Sequence, residues 1–339
     1  VLWQAHMPAG DRAHINYSGH EGIVPSPILT DGKLLVQLHD FLQAFDAATG
    51  KSLWRVDYRK DSKGGKWCNT GAILNLGGTP VWVSGSPSVV RVSDGKILAA
   101  GFTDREGKPL RSITTERGGA SVLTDGQDTV FVLSGSNSGV RVHALRLRMD
   151  GPDKVAGEVL WTSDDAQAMN ASPVLHDGYI YQSSLVRDTR QQGAVVKELK
   201  LTRGAYYWIE TASMSAADGV VFATGWKGGT RQAKDVAAGF ELRTSVIRMA
   251  GTKSEVIIEN VIDALPYPRI PWMDDYREAY GGKVGEVTKR IYWSPQGARL
   301  IPAYPTIAAP AISGNRIYYR TCGSLLCIAP LDGRSNNEK

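Results

Sequence analysis

Cysteine is scarce in this chain, and the few cysteines form no recognisable metal-binding pattern. The 339 residues include three: Cys68 stands alone, and Cys322 and Cys327 flank residues 323–324. In a hairpin that turns at 323–324 these two would not face each other directly, which leaves a disulfide between them open. A zinc site would need further Cys or His ligands nearby in the sequence, and none is there. We expect Cys327 to be a core residue at the position that Phe45 holds, and the protein to hold neither a metal nor a cofactor.

Long apolar runs and an excess of one charge are also missing. No stretch of about 18 apolar residues is present, so we expect no direct insertion into a membrane. The 39 basic and 34 acidic residues leave a formal charge of +5, and the basic residues are spread along the chain. Without a basic tail or stripe, nucleic acid is not expected as a partner. The small positive charge is compatible with acidic small molecules or acidic glycans.

What the chain does have is a repeated phrase of two short strands around a tight turn. The phrase occurs at residues 25–36, 171–181 and 309–319, and looser copies occur at residues 120–132 and 212–222. Asp-Gly and Thr-Gly steps in these units supply the positive φ that tight hairpins need. Such a periodic array indicates supersecondary units that cannot bury their apolar faces alone.

The most complete unit, residues 24–57, predicts four strands, which is the blade of a β-propeller. Residues 263–306 do not fit the pattern and form either an insertion or a degenerate seventh blade; we favour an insertion. The predicted fold class is therefore all-β, a β-propeller of four-stranded antiparallel blades, with six blades favoured and seven possible. The six blades are placed at residues 24–57, 68–102, 118–163, 170–211, 212–262 and 306–339 joined by 1–5.

The two ends of the chain predict a closed ring. Residues 1–4 match the last strand of a unit, at 52–55, and residues 325–329 match the third strand, at 42–46. An N-terminal strand would thus complete the C-terminal blade, and closure leaves no long exposed sheet edge. We expect residues 1–339 to form a single propeller domain. Tryptophans that recur at one position of the unit are predicted to pack between blades: Trp3, Trp54 and Trp161.

Residues 42–54, with the sequence LQAFDAATGKSLW, resemble the repeat of the pyrroloquinoline-quinone-like (PQQ-like) β-propeller superfamily. Residues 314–328 are similar to copies common in its secreted bacterial members. The resemblance covers nearly the whole chain apart from 263–306, and it implies a secreted or periplasmic location. It is specific for fold and not for function, because the superfamily includes quinoprotein dehydrogenases, envelope assembly proteins and members of unknown role.

The dehydrogenase branch of that superfamily makes demands that this sequence does not meet. Its members have longer chains than this one and share three features. These are an eight-bladed ring, a pair of adjacent cysteines over the quinone, and an acid that holds Ca²⁺ together with Asn ligands. No two cysteines are adjacent here, and no run of Asp, Asn or Glu has calcium-loop spacing. A quinone-dependent dehydrogenase is therefore the least favoured function.

The segments that lead into the first strand of each blade should converge on one end of the central channel. Loops between second and third strands emerge at the same end, and two of them are predicted to be extended, by residues 187–193 and 226–232. If the protein is an enzyme, the predicted catalytic residues at this channel mouth are His20, Glu116, Arg117, Glu210 and Tyr304. The predicted substrate-binding residues are Trp67, Asn69, Asn170, Arg187 and Trp226.

Two classes of function are compatible with these residues. In an enzyme, His20 or His39 could act as a base, with Tyr304 or Glu210 as the acid. Arg117 or Arg187 could neutralise a carboxylate, while Trp67 and Trp226 could stack on a sugar ring. This would be a polysaccharide lyase or hydrolase acting on an acidic glycan. Polar connectors are ordinary in any propeller, however, and no catalytic or cofactor signature is recognisable. We therefore predict a non-catalytic scaffold that binds other proteins of an envelope or extracellular assembly.

Overall fold

The computed structural model describes fourteen stretches of the chain, in two compact units that lie within residues 1–198 and within residues 199–339. Regular structure in these stretches consists of β-strands and two short 3₁₀ turns, Thr189–Gln191 and Gly251–Lys253, with no α-helix. The prediction of a single domain stays a prediction. The described residues are 2–5, 26–38, 41–57, 70–85, 87–110, 120–136, 139–166, 172–182, 184–201, 214–227, 241–262, 311–314, 316–320 and 325–328.

The first unit contains four antiparallel sheets, each made of four strands that pair in the order of the sequence. Sheet one consists of β1 (Ile28–Thr30), β2 (Lys33–Leu38), β3 (Phe41–Asp46) and β4 (Ser52–Val56). Sheet two consists of β5 (Ala72–Leu76), β6 (Thr79–Val83), β7 (Val89–Arg91) and β8 (Ile97–Ala99). Sheet three consists of β9 (Leu123–Thr124), β10 (Thr129–Ser136), β11 (Gly139–Met149) and β12 (Val155–Ala166). Sheet four consists of β13 (Val174–His176), β14 (Tyr179–Gln182), β15 (Leu185–Asp188) and β16 (Ala194–Glu198).

The second unit contains sheets five and six. Sheet five has the same four-stranded order: β17 (Ser215–Ala217), β18 (Val220–Lys227), β19 (Glu241–Arg248) and β20 (Glu255–Ile262). Sheet six has three strands in its described part: β21 (Ala311–Ser313), β22 (Arg316–Arg320) and β23 (Leu325–Ile328).

The predicted fold class is confirmed: the described part of the chain is all-β, and five of its six sheets are four-stranded antiparallel meanders of the kind that form propeller blades. Each of the first five sheets lies in one predicted blade, except that β12 extends three residues beyond the predicted end of the third blade at residue 163. The number of blades and the closure of a ring stay predictions.

The hairpin turns have the backbone that their sequences predict. Asp31 and Gly32 both have positive φ, at 48° and 68°, and the Asp-Gly pairs at 177–178 and 218–219 repeat this conformation. Two consecutive residues with positive φ form the turn whose twist matches that of antiparallel strands. In each sheet this turn and the turn between the third and fourth strands lie at one end, which we call the turn end. The opposite end, where the chain passes between sheets, is the connector end.

Successive sheets of the first unit share three apolar cores. Each core is formed by one face of a sheet and the facing side of the next, so no sheet buries its apolar residues alone. Leu35, Leu42 and Trp82 belong to the core between sheets one and two, Val132 and Leu145 to the one between sheets two and three. The core between sheets three and four includes Phe131, Trp161 and Ile180.

Tryptophans of outermost strands close these cores against glycines of the following sheet. Trp54, in β4, donates a hydrogen bond from Nε1 to the Val92 carbonyl at 3.1 Å and lies against Gly95. Trp161, in β12, lies against Gly193 in the turn between β15 and β16. A side chain at either glycine would overlap the indole, because an added Cβ would lie 2.7 Å and 2.4 Å from the nearest ring atoms. The prediction that these tryptophans pack between blades is confirmed.

Trp3 repeats this arrangement on sheet one. Its Nε1 donates to the Ala47 carbonyl at 3.1 Å, its ring stacks near Phe45 with centroids 6.4 Å apart, and an added Cβ at Gly50 would lie 2.5 Å from its ring. Residues 2–5 are not in a strand. The prediction that they complete the C-terminal blade therefore stays a prediction, although Trp3 contacts sheet one as Trp54 contacts sheet two.

Hydrogen bonds to hydroxyl and carbonyl oxygens link the beginnings of the first strands. The Ser26 amide donates to Thr70 Oγ1 at 2.9 Å, and the Val122 amide donates to the Thr70 carbonyl at 3.0 Å. The Ser121 amide donates to Ser172 Oγ at 3.1 Å. These hydrogen bonds join sheets one to four at the connector end, on the opposite side from the turns.

The prediction for Cys327 is wrong. Its side chain is exposed, and its pairing with Tyr318 gives it the register of Ala44 and not that of Phe45. In the described part of sheet six, β23 is an edge strand. Cys327 therefore has no paired residue on a fourth strand there, whereas Ala44 pairs with Trp54 of β4.

The contact between Trp161 and Gly193 can be tested with a pair of matched alanine variants. Gly193 and Gly126 have similar φ, +75° and +80°, but an added Cβ has no neighbour within 4 Å at Gly126. We expect Gly126→Ala to lower the free energy of unfolding by about 1 kcal/mol, the cost of a left-handed L-residue. Gly193→Ala should cost about 1–3 kcal/mol more, because the methyl group overlaps the indole.

Chemical denaturation followed by circular dichroism measures both variants under the same conditions. Equal losses in the two variants would mean that the indole contact does not contribute.

Candidate functional site

Most residues of the predicted channel-mouth site lie outside the described residues. Their roles as catalytic or substrate-binding groups, and the polysaccharide chemistry that depends on them, stay predictions. The residues concerned are His20, His39, Glu116, Arg117, Glu210, Tyr304, Trp67, Asn69 and Asn170.

Arg187 lies in a buried strand, and its predicted position in an extended loop is wrong. It is the third residue of β15, its exposed fraction is 0%, and β15 begins at Leu185, three residues after β14 ends at Gln182. Arg187 Nη1 donates to Ser163 Oγ at 2.6 Å and to the Gly193 carbonyl at 3.1 Å. Arg187 therefore ties β12 of sheet three to the turn of sheet four that receives Trp161.

Trp226 also lies in a strand and not in the loop predicted for residues 226–232. It is the seventh residue of β18, where it pairs with Leu242. Its backbone is held by the sheet near the connector end, and its role in substrate binding stays a prediction.

The described aspartates of the outer turns shape the backbone. Asp46 Oδ1 accepts hydrogen bonds from the Thr49 amide and hydroxyl, both at 2.7 Å, and these bonds lower the pKa of Asp46. At Asp188, burial raises the pKa, but hydrogen bonds from Arg190 and Gln191 outweigh it, so the pKa lies below its usual range. Both carboxylates are thus held ionised within turns that end at Gly50 and Gly193.

An ion-pair network links the outer turns of sheets two and three. Arg91 contacts Asp94 at 2.6 Å and Asp153 at 3.1 Å, and Lys96 contacts Asp153 at 2.6 Å. The hydrogen bond with Asp94 is the main reason that the pKa of Arg91 is raised. These side chains are partly exposed, so their contribution to stability is modest.

A groove of about 500 Å³ opens between sheets three and four at the turn end. Its apolar part consists of Phe131, Trp161, Leu160 and Leu175, which also belong to the core between these sheets. Its other lining residues are Thr124, Asp125, Thr129, His176, Asp177, Gly178 and Thr189. The groove is the candidate site that the described residues form.

No local pattern in the sequence predicts this groove, although its parts belong to the repeat. These parts are the Asp-Gly turns at 125–126 and 177–178 and the recurrent Trp161. Whether two turns leave a space between them depends on how neighbouring sheets meet, which the local pattern does not specify.

Metal and membrane features can be described only for the same parts of the chain. Within them no three His, Cys, Asp or Glu side chains are grouped so that they could hold a metal ion. The same residues contain no helix with the length and apolar character of a membrane span.

No protein-family model matches the chain, and no curated protein matches it either. Among solved structures it is similar to BamB from Moraxella catarrhalis, with 15% identity, a TM-score of 0.44, and coverage of 90% of this chain and 82% of that one. It is also similar to the Neurospora crassa Pan2 WD40 domain, with 14% identity, a TM-score of 0.41 and coverage of 74% and 69%. A third similarity is to the quinohemoprotein alcohol dehydrogenase from Comamonas testosteroni, with 14% identity, a TM-score of 0.31 and coverage of 74% and 36%.

The role of Arg187 can be tested by its effect on stability. Arg187→Met keeps much of the volume but removes the hydrogen bonds to Ser163 and Gly193. We expect the free energy of unfolding to fall by about 2 kcal/mol or more, since buried hydrogen bonds from a charged donor are lost. Arg187→Lys keeps the charge without the planar fork and should have an intermediate effect. Unchanged unfolding of the Met variant in urea would contradict a structural role.

Asp188 predicts an acid dependence of stability. Because its pKa in the folded chain is below the unfolded value of about 3.9, its contribution is present at neutral pH and is lost as the pH falls below about 4. Asp188→Asn should therefore lower stability at pH 7 and reduce the slope of stability against pH between about 5 and 2. Urea unfolding at a series of pH values measures both quantities. A slope identical to that of the unchanged protein would refute the assignment.

Proposed function

We propose that the chain is a non-catalytic scaffold that binds other proteins through the connector end of its sheets, in the cell envelope or the extracellular space. The observation that carries this proposal is the interlocking of tryptophan and glycine between successive sheets, seen at Trp54 with Gly95 and at Trp161 with Gly193. Contacts of this kind favour a rigid frame, and a rigid frame can present attached segments in a fixed arrangement.

The described charged groups support the same proposal. Asp46 and Asp188 serve their own turns, Arg91 pairs with acids of two sheets, and Arg187 is buried between two sheets. The frame thus uses these groups for its own geometry, and recognition is left to other segments. Sequence resemblance to secreted members of the PQQ-like superfamily supports the proposed location.

The segments between sheets contain residue types that dominate protein interfaces. Residues 202–213 include Tyr206, Tyr207 and Trp208 in succession, and residues 58–69 include Tyr58, Arg59 and Trp67. Tyrosine, tryptophan and arginine are enriched among the residues that provide most of the binding energy at such interfaces. Both segments follow the last strand of a sheet, where the chain has reached the connector end.

Isolation of native complexes tests the proposal. The tagged full chain is purified from its native source under mild conditions, and bound proteins are quantified by mass spectrometry. We expect a defined partner in stoichiometric amount, and we expect the Tyr206→Ala/Tyr207→Ala/Trp208→Ala variant to recover at least tenfold less of it, because two or three such residues can supply several kcal/mol.

Lys51→Ala is the control for this experiment, because Lys51 is exposed next to the outer turn of sheet one at the turn end. This control should recover the partner as the unchanged chain does. Recovery of a bare monomer that turns over uronic-acid polysaccharides would overturn the scaffold proposal in favour of the enzyme.

A further inference from the structure

The groove between sheets three and four has a floor that is already in place. Phe131 and Trp161 are 4% and 6% exposed, and their ring centroids lie 5.8 Å apart. Trp161 is fixed on its other side by Gly193, so its ring cannot move towards sheet four. Leu160 and Leu175 are half-buried and continue the apolar surface. A volume of about 500 Å³ lies within the range of protein sites that hold small organic groups.

The rim of the groove has negative charge. Asp125 belongs to the turn of sheet three and Asp177 to the turn of sheet four, and both residues are exposed. Asp125 Oδ1 accepts hydrogen bonds from the amides of Gln127 at 2.9 Å and Thr129 at 3.1 Å, which fixes the direction of the carboxylate. Three threonines, Thr124, Thr129 and Thr189, complete the polar part of the lining.

No lysine or arginine belongs to the described lining of the groove. Two arginines lie beside lining residues. Arg105 donates hydrogen bonds to the Val159 carbonyl at 3.3 Å and to the Leu160 carbonyl. Arg190 lies beside Gly178, where its Cζ would be 3.4 Å from an added Cβ. Its guanidinium is paired with Asp188 at 2.8 Å and stacks on the Tyr179 ring at 4.5 Å. The charge of Arg190 is therefore largely matched by Asp188, and Arg105 binds backbone carbonyls of β12. Among the residues that line the groove, Asp125 and Asp177 contribute the carboxylates.

We propose that this groove is a second docking site, which receives an arginine side chain from an extended segment of a partner protein. The aliphatic stem of arginine covers apolar surface while its head stays among polar groups, which suits a floor of leucines below a rim of carboxylates. The planar guanidinium offers several donors in a fixed geometry that matches carboxylates. The volume also leaves room for an apolar neighbour of that arginine. This site lies at the turn end, so it goes beyond the proposed function of the connector end.

A short peptide tests the proposal without any knowledge of the natural partner. The probe is fluorescein-labelled acetyl-Ala-Arg-Leu-Arg-Ala amide, and its binding to the full chain is followed by fluorescence anisotropy at low salt. The matched probe has citrulline in place of both arginines, which keeps the shape and removes the charge. We expect the arginine probe to bind at least tenfold more tightly, and its affinity to fall as salt is added. Equal binding of the two probes would overturn the proposal.

Conservative variants locate the binding. Asp125→Asn/Asp177→Asn removes the charge of the rim, and asparagine tolerates the φ of +48° found at Asp177. This double variant should weaken the arginine probe at least tenfold and leave the citrulline probe unchanged. Asp218→Asn is the control, because Asp218 has the same φ in an Asp-Gly turn of sheet five but does not line the groove. A loss of affinity in the control as large as in the double variant would refute the location.

The apolar floor needs a separate variant. Leu175→Ala should weaken the arginine probe severalfold, because it shortens the surface on which the stem of the arginine lies, and thermal unfolding shows whether the variant is folded. The variant with three alanines at 206–208 should bind the probe as the unchanged chain does. If that variant loses its partner but keeps the probe, the connector end and the groove are separate sites. If the probe fails in every folded form, the groove proposal is wrong whatever the partner experiment gives.

Discussion

The packing of one indole against one glycine is the interaction on which the first unit depends. A glycine is required for two reasons at once at Gly95 and Gly193: φ is positive, +76° and +75°, and the ring of the preceding sheet's tryptophan occupies the space of a Cβ. Each sheet presents too little apolar surface to be stable alone, so burial has to come from the next sheet. The indole provides a large apolar area at the outer edge of that interface, where the sheets would otherwise separate.

Two of the turns that receive a tryptophan, those that end at Gly50 and Gly193, are fixed by acids. Asp46 and Asp188 bind amides of their own turns, and the amides of Gly50 and Gly193 donate to the carbonyls of the same two aspartates at 2.8 and 2.9 Å. In both turns a carboxylate fixes the backbone, and the glycine four or five residues later packs against the tryptophan ring. Arg187 also helps to fix the second turn, because its side chain binds the Gly193 carbonyl from within the core.

The sequence predicted the local parts of this architecture and not the parts that depend on two sheets. Asp-Gly pairs at 31–32, 177–178 and 218–219 specify their turns through backbone preference alone, so strand pairs and blade boundaries followed from them. The sequence predicts Arg187 in a loop, at the start of the polar run that continues to residue 193. What makes its burial possible is Ser163, 24 residues earlier in another sheet, and no local pattern indicates such a partner. The groove was missed for the same reason.

The distribution of polar groups between the two ends of the sheets has a physical cause. At the turn end the connections are tight, and carboxylates there are used to close turns and to pair with cations of neighbouring sheets, as Asp153 pairs with Arg91 and Lys96. A turn that packs against a tryptophan can change little to suit a binding partner, because a change in the turn disturbs that packing. Asp177 differs, because its turn closes through backbone conformation and its carboxylate makes no hydrogen bond or ion pair with the described residues. This turn lies next to the wider turn of residues 125–128. The carboxylates of Asp125 and Asp177 therefore lie above the apolar floor of the groove, and neither is needed for the packing between the two sheets.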